Sequence, residues 1–112
     1  MIKHEHIKNL YTKHKIELKT ELDLKALSNA SLKHHSIELN NEFITINSLE
    51  KDSPFNEIPL KNVAGVEELP NHIAIVLRNS IIFLSKHNND IHVHINIETP
   101  TLWERIKYFF NQ

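Results

Sequence analysis

The sequence predicts a small α+β domain in which a mostly helical N-terminal arm and a C-terminal amphipathic helix flank an antiparallel, barrel-like curved sheet. Three stretches predict it. Residues 73–77 (IAIVL) and 81–84 (IIFL) are almost wholly apolar, too short for a buried helix, and rich in β-branched side chains that suit a pleated surface. Residues 91–98 (IHVHINIE) alternate apolar and polar without a break, the pattern of a strand with one dry face. Residues 102–110 place Leu102, Ile106, Phe109 and Phe110 on one helical face, with Trp103 beside them.

The paired runs at 73–84 organise the rest. Arg78-Asn79-Ser80 reads as a tight hairpin turn, because asparagine enters the left-handed region at little cost. Both faces of each run are apolar, which predicts a central position covered on both sides. The remaining chain then supplies strands to pair with this hairpin and helices to cover it.

In chain order, Ile7, Leu10 or Tyr11, His14, Leu18 and Leu22 fall on one helical stripe. The arm is expected to be helix in two pieces, ending near Ser28-Asn29. A strand over residues 15–19 (KIELK), which alternate with period two, competes with that reading. Residues 32–39 (LKHHSIEL) and 43–47 (FITIN) read as strands joined by a tight turn at Asn40-Asn41. Ile44 and Ile46 form one face of the second strand; Phe43, Thr45 and Asn47 form the other. Residues 49–56 are a loop. Residues 57–63 (EIPLKNV) are a short strand interrupted by Pro59, and so an edge or a strand end. Gly65, the one glycine, marks a bend or a close backbone approach. In the strand over 91–98, Ile91, Val93, Ile95 and Ile97 are expected in the core, with His92, His94, Asn96 and Glu98 in water. The closing helix opens with Pro100 and a Thr101/Glu104 capping box. The arm therefore spans residues 1–30, the sheet 31–98 and the last helix 99–111.

A chain of 112 residues is one domain with a single modest core. It has no run of about 18 apolar residues and no signal-peptide pattern, which favours the cytoplasm. With no cysteine, disulfides and thiolate metal sites are excluded. The formal charge of −1 provides no field for nucleic acid. Nine histidines are unusual for this length; protonating all of them takes the formal charge to +8.

The routes to catalysis are poorly supplied. A single glycine cannot build a phosphate-cradling loop, and no serine stands in a nucleophile-elbow pattern. Glu67 and Glu68, adjacent on a strand, point to opposite faces and cannot act as a pair. Phe43 and Phe83 stand among apolar neighbours and are expected in the core, not on a base-stacking surface. The domain is therefore expected to be no enzyme and to hold no cofactor. His92 and His94 project from one strand face, and with Glu98 as third ligand they could hold Zn²⁺ or Ni²⁺. His34-His35 and His4-x-His6 offer further imidazoles. The competing reading is an exposed strand face that carries ordinary polar residues.

Several short antiparallel strands followed by a tryptophan-bearing C-terminal helix resemble the pleckstrin-homology-like (PH-like) barrel. HSIELNNEFITINS (residues 35–48), IPLKNVAGVEELPNHIAIVL (58–77) and NSIIFLSK (79–86) are similar to the bacterial YcxB-like domains. In those, a strand pair is followed by an Ile-Pro-Leu segment running into Val-Glu-Glu, a hydrophobic strand and a last strand with an Ile-Pro-Lys-like end. Here that end is Leu84-Ser85-Lys86, without the proline. The resemblance covers about residues 31–110 and brings no catalytic residue with it. It implies a binding or scaffolding module for a protein or membrane-proximal partner, in bacteria, in a family whose members often follow transmembrane helices. Glu57 and Lys61, flanking Pro59 on the interrupted strand, are the expected partner-binding residues. The alternatives are a metal-binding protein using the histidine pairs and an immunity-type protein that binds a toxin.

Overall fold

The computed structural model describes residues 3–14, 24–48, 56–78 and 80–95. Among the described residues two helices, α1 (His4–His14) and α2 (Lys25–Ser28), precede seven strands. These are β1 (His35–Leu39), β2 (Phe43–Ser48), β3 (Asn56–Pro59), β4 (Val63–Glu68), β5 (His72–Leu77), β6 (Ser80–Ser85) and β7 (Ile91–Ile95). All strand pairings are antiparallel, and they form two sheets ordered β1-β2-β3 and β4-β5-β6-β7.

Alternation along β5 and β6 decides what lies on each side of the second sheet. Ile73, Ile75, Ile82 and Leu84 face the three-stranded sheet, where they meet Ile44, Ile46, Ile58, Val63 and Leu27 of α2. Ala74, Val76, Ile81 and Phe83 face the other way and meet Ile7, Leu10 and Tyr11 of α1, with Ala64 of β4. The hairpin is thus central and covered on both faces, as its two-sided apolar runs require. At about 25 cal/mol per Å² of apolar surface removed from water, such two-sided burial makes this sheet the main source of stability.

The described residues of the arm include two helical segments, α1 and α2, and α2 ends at Ser28 with Asn29 as its cap. Glu5 in the first turn of α1 and Lys13 and His14 in the last suit the helix dipole. Gly65 is both a bend and a close approach. The β4–β5 register slips between Val63 and Gly65, a bulge, and a side chain at residue 65 would collide with Nδ1 and Cε1 of His14. The His14 ring takes the space a Cβ would fill, and its Nε2 lies 3.1 Å from Glu67 Oε1. Lys13 Nζ reaches the same oxygen at 2.7 Å.

Four expectations change. The strands do not close into one barrel: β3 ends at Pro59, a single turn of 3-10 helix spans Leu60–Asn62, and β4 then joins the other sheet. Residues 57–63 are therefore split between the sheets, and β4 is a strand in its own right. β1 begins at His35, not Leu32, because residues 33 and 34 form a bend. Val93 is 61% exposed on β7, an end strand of the second sheet among the described residues, whereas Ile91 on the same face packs on that core. Phe43 is half-buried rather than core, because it lies on the β2 face opposite Ile44 and Ile46. The strand alternative at 15–19, the C-terminal helix at 99–111 and residues 49–55 of the expected loop lie outside the described residues; its last residue, Asn56, opens β3, where it pairs with Ile46.

Candidate functional site

Among the described residues β3 pairs with β2 alone, which makes it an end strand of the three-stranded sheet they form. Where the end of β3 meets the β1–β2 turn is a recess of about 430 Å³ lined by Asn41, Glu42, Phe43, Pro59, Leu60 and Lys61. Local chemistry builds it. Asn40 Oδ1 accepts hydrogen bonds from the backbone N–H groups of Glu42 and Phe43, each at 2.7 Å, and fixes the β1–β2 turn. The Leu60 N–H donates to the Glu42 carbonyl at 2.8 Å and ties the end of β3 to that turn. Phe43 and Pro59 are cross-strand partners. Proline also removes one donor from the strand, which ends the ladder here.

The recess therefore has an apolar floor of Phe43, Pro59 and Leu60, with Glu42 and Lys61 as charges of opposite sign around it. Of the two expected partner-binding residues, Lys61 lines the recess; Glu57 is exposed on β3 outside it. Such an arrangement can take an apolar side chain from an extended segment whose backbone pairs with the end strand.

The histidine face of β7 is built differently. The His92 and His94 rings lie 6.5 Å apart, and His94 meets the edge of Phe83 at 5.4 Å. His94 is thus a packing group as well as a polar one. His72, His87, His92 and His94 line a cleft of about 440 Å³ with Asn71, Ser85, Asn88 and Asp90. Among the described residues, no group of three or more His, Asp or Glu is arranged to hold a metal ion. Glu98 lies outside the described residues.

Comparison with protein-family models, with curated proteins and with solved structures gave no match. The site must be read from its own chemistry.

His35, which the sequence offered only as a further imidazole for a metal site, lies inside the fold. It is 3% exposed, and its Nε2 donates to the Asn88 carbonyl at 3.0 Å, linking the first sheet to the β6–β7 loop. Period two carried the signal, for His35 is in phase with Ile37 and Leu39. Burial pushes the His35 imidazole below its ordinary value, aided by nearby His34; the Asn88 carbonyl and Asp90 act in the opposite sense and are outweighed. His72 is depressed by burial and then by His92.

A histidine depressed on folding binds protons more weakly in the folded chain than in the unfolded one. Its contribution is fully present above the ordinary value of 6.5 and is lost as the pH falls through the folded pKa. Urea midpoints are therefore expected to be lower at pH 5.5 than at pH 7.5 by these two groups. An equal or higher midpoint at pH 5.5 would contradict the assignment. Glu67 acts in a lower window. Burial raises its carboxyl, but Lys13 and His14 outweigh burial and leave it below the ordinary 4.5, so its contribution is lost only as the pH falls below that range.

Proposed function

We propose that this domain is a non-catalytic binding module of PH-like type, similar to the bacterial YcxB-like domains, that holds an extended segment of a protein partner along β3. The observation that carries this reading is that β3 is an end strand among the described residues, and that its end lines a recess with Phe43, Leu60 and Lys61. Main-chain pairing at an edge supplies affinity, and a pocket for one side chain supplies selectivity. Among the described residues, the antiparallel strands in sheets of three and four support the comparison with PH-like folds; the tryptophan-bearing C-terminal helix on which it also rests lies outside them. The module acts in the cytoplasm or at the cytoplasmic face of a membrane; among the described residues no helix is long and apolar enough to cross one.

Lys61→Glu tests this directly. Lys61 is exposed, so reversal is expected to change stability by no more than about 0.5 kcal/mol. Capture of the partner from cell extract is expected to weaken at least tenfold, the worth of about 1.4 kcal/mol at the recess. Equal capture by both proteins would remove β3 from the interface. Turnover of a substrate with no captured partner would make an enzyme the better reading.

A further inference from the structure

We propose that the cleft between the start of β5, the β6–β7 loop and β7 is a binding site for a small soluble oxyanion of the sulfate or phosphate type, admitted on acidification. The site goes beyond the partner-binding reading and shares no lining residue with the recess at β3.

Strand register assembles the cleft. His72 lies opposite Ser85 in the β5–β6 pair, and His92 lies opposite Phe83 in the β6–β7 pair. With His94 two residues further on, these side chains share one face of the second sheet. The Phe83 ring meets His72 and His94 edge-on at 6.2 and 5.4 Å, so both imidazoles rest on the same buried ring. His87 comes from the β6–β7 loop, which the chain itself pins. Ser85 Oγ accepts the backbone N–H groups of His87 and Asn88 at 3.1 and 3.2 Å. The Ser85 N–H donates to the Asp90 carbonyl at 3.1 Å, and the Lys86 N–H to the Asn71 carbonyl at 3.0 Å. His87 Nε2 donates to Asn71 Oδ1 at 3.2 Å. Four imidazoles from three stretches of chain are thus held around one cavity of about 440 Å³. That volume lies in the range of small-molecule sites.

Charge decides what enters. Asp90 is the carboxylate among the described lining residues, so with neutral imidazoles the cleft is negative and repels an anion. Lys86, next to the lining residue Ser85, is ion-paired to Glu68 at 3.0 Å. A neutral imidazole offers one N–H and an imidazolium offers two. As the histidines take up protons, the cleft changes sign and gains donors. Positive charges then converge on His72. Burial lowers its affinity for a proton, and His92, the N-terminal amine, His87 and Lys86 act in the same sense. An anion among these groups offsets their repulsion, and its oxygens accept charge-assisted hydrogen bonds. By reciprocity, an anion that prefers the protonated cleft raises the proton affinity of His72 in turn.

Sulfate is the probe, because it stays doubly negative over the range in which histidine titrates. The full chain is titrated with sodium sulfate, against sodium chloride at equal ionic strength, while the side-chain ¹⁵N resonances of the histidines are followed. At pH 5.5 sulfate is expected to bind saturably and to move His72 and His87; at pH 7.5 its affinity is expected to be roughly tenfold lower or less still. The titration midpoint of His72 is expected to rise in sulfate and not in chloride. His87 is exposed, and His87→Gln keeps a donor for Asn71 while removing the proton uptake. Its sulfate affinity at pH 5.5 is expected to fall roughly fivefold. Equal affinity at both pH values, the same shifts with chloride, or shifts confined to histidines away from the cleft would each overturn the proposal. Binding of anionic vesicles without binding of free sulfate would overturn it too, as would uptake of Zn²⁺ by these imidazoles with no sulfate binding.

Discussion

Replacing Phe83 with alanine is expected to destabilise the domain by about 3–5 kcal/mol. Phe83 is fully buried on the face of β6 that receives Ile7, Leu10 and Tyr11 of α1, and its ring meets His72 and His94 edge-on at 6.2 and 5.4 Å. Removing the ring leaves a cavity that rigid neighbours on the sheet cannot fill, and it takes away the apolar surface on which α1 rests. A domain of this size holds together by only about 5–15 kcal/mol, so one substitution removes a large share. Chemical denaturation followed by circular dichroism measures the loss, and amide exchange shows where it falls, with α1 expected to lose protection first. Phe83→Leu retains part of the apolar bulk and is expected to recover part of the loss. A cost below about 1 kcal/mol for the alanine variant would mean that α1 does not rest on this face.

Ile46→Ala probes the opposite side of the same sheet. Ile46 on β2 packs with Ile73, Ile75, Ile82 and Leu84, so it belongs to the layer that joins the two sheets. The expected cost is about 2–5 kcal/mol. Because Ile46 touches nothing on the α1 side, its effect and that of Phe83→Ala are expected to add within about 0.5 kcal/mol. Strong non-additivity would show that the two apolar layers act as one.

How much of this was legible in the sequence depended on whether a pattern fixes its own surroundings. Two-sided apolar runs such as 73–77 and 81–84 can exist only where both faces are covered, so their central position could be read directly. Pro59 could be read as an interruption for the same local reason: it has no N–H to offer. The alternation at 91–95 separates two faces but does not say how much of each is covered: Ile91 packs on the core and Val93 is exposed. The burial of His35 was not legible from its type, since histidine is most often at the surface, although its phase with Ile37 pointed inward. The recess at Phe43, Pro59 and Lys61 joins a turn to a strand end 16 residues away, a pairing that register alone creates.

That register has a kinetic side. Every pairing in both sheets joins strands that follow one another in the chain, β1 to β2 to β3 and β4 through β7. Each hairpin closes over a short span, so little loop entropy opposes it. The two meanders can therefore zip up independently and early, faster than a β-rich protein whose sheet is stitched from distant segments. Among the described residues, the meeting of the two sheets and the packing of α1 and α2 on the second sheet bring together residues far apart in sequence. The layers that dominate stability are thus the last to form. Refolding should be limited by docking of preformed parts, and variants in those layers should act mainly by speeding unfolding.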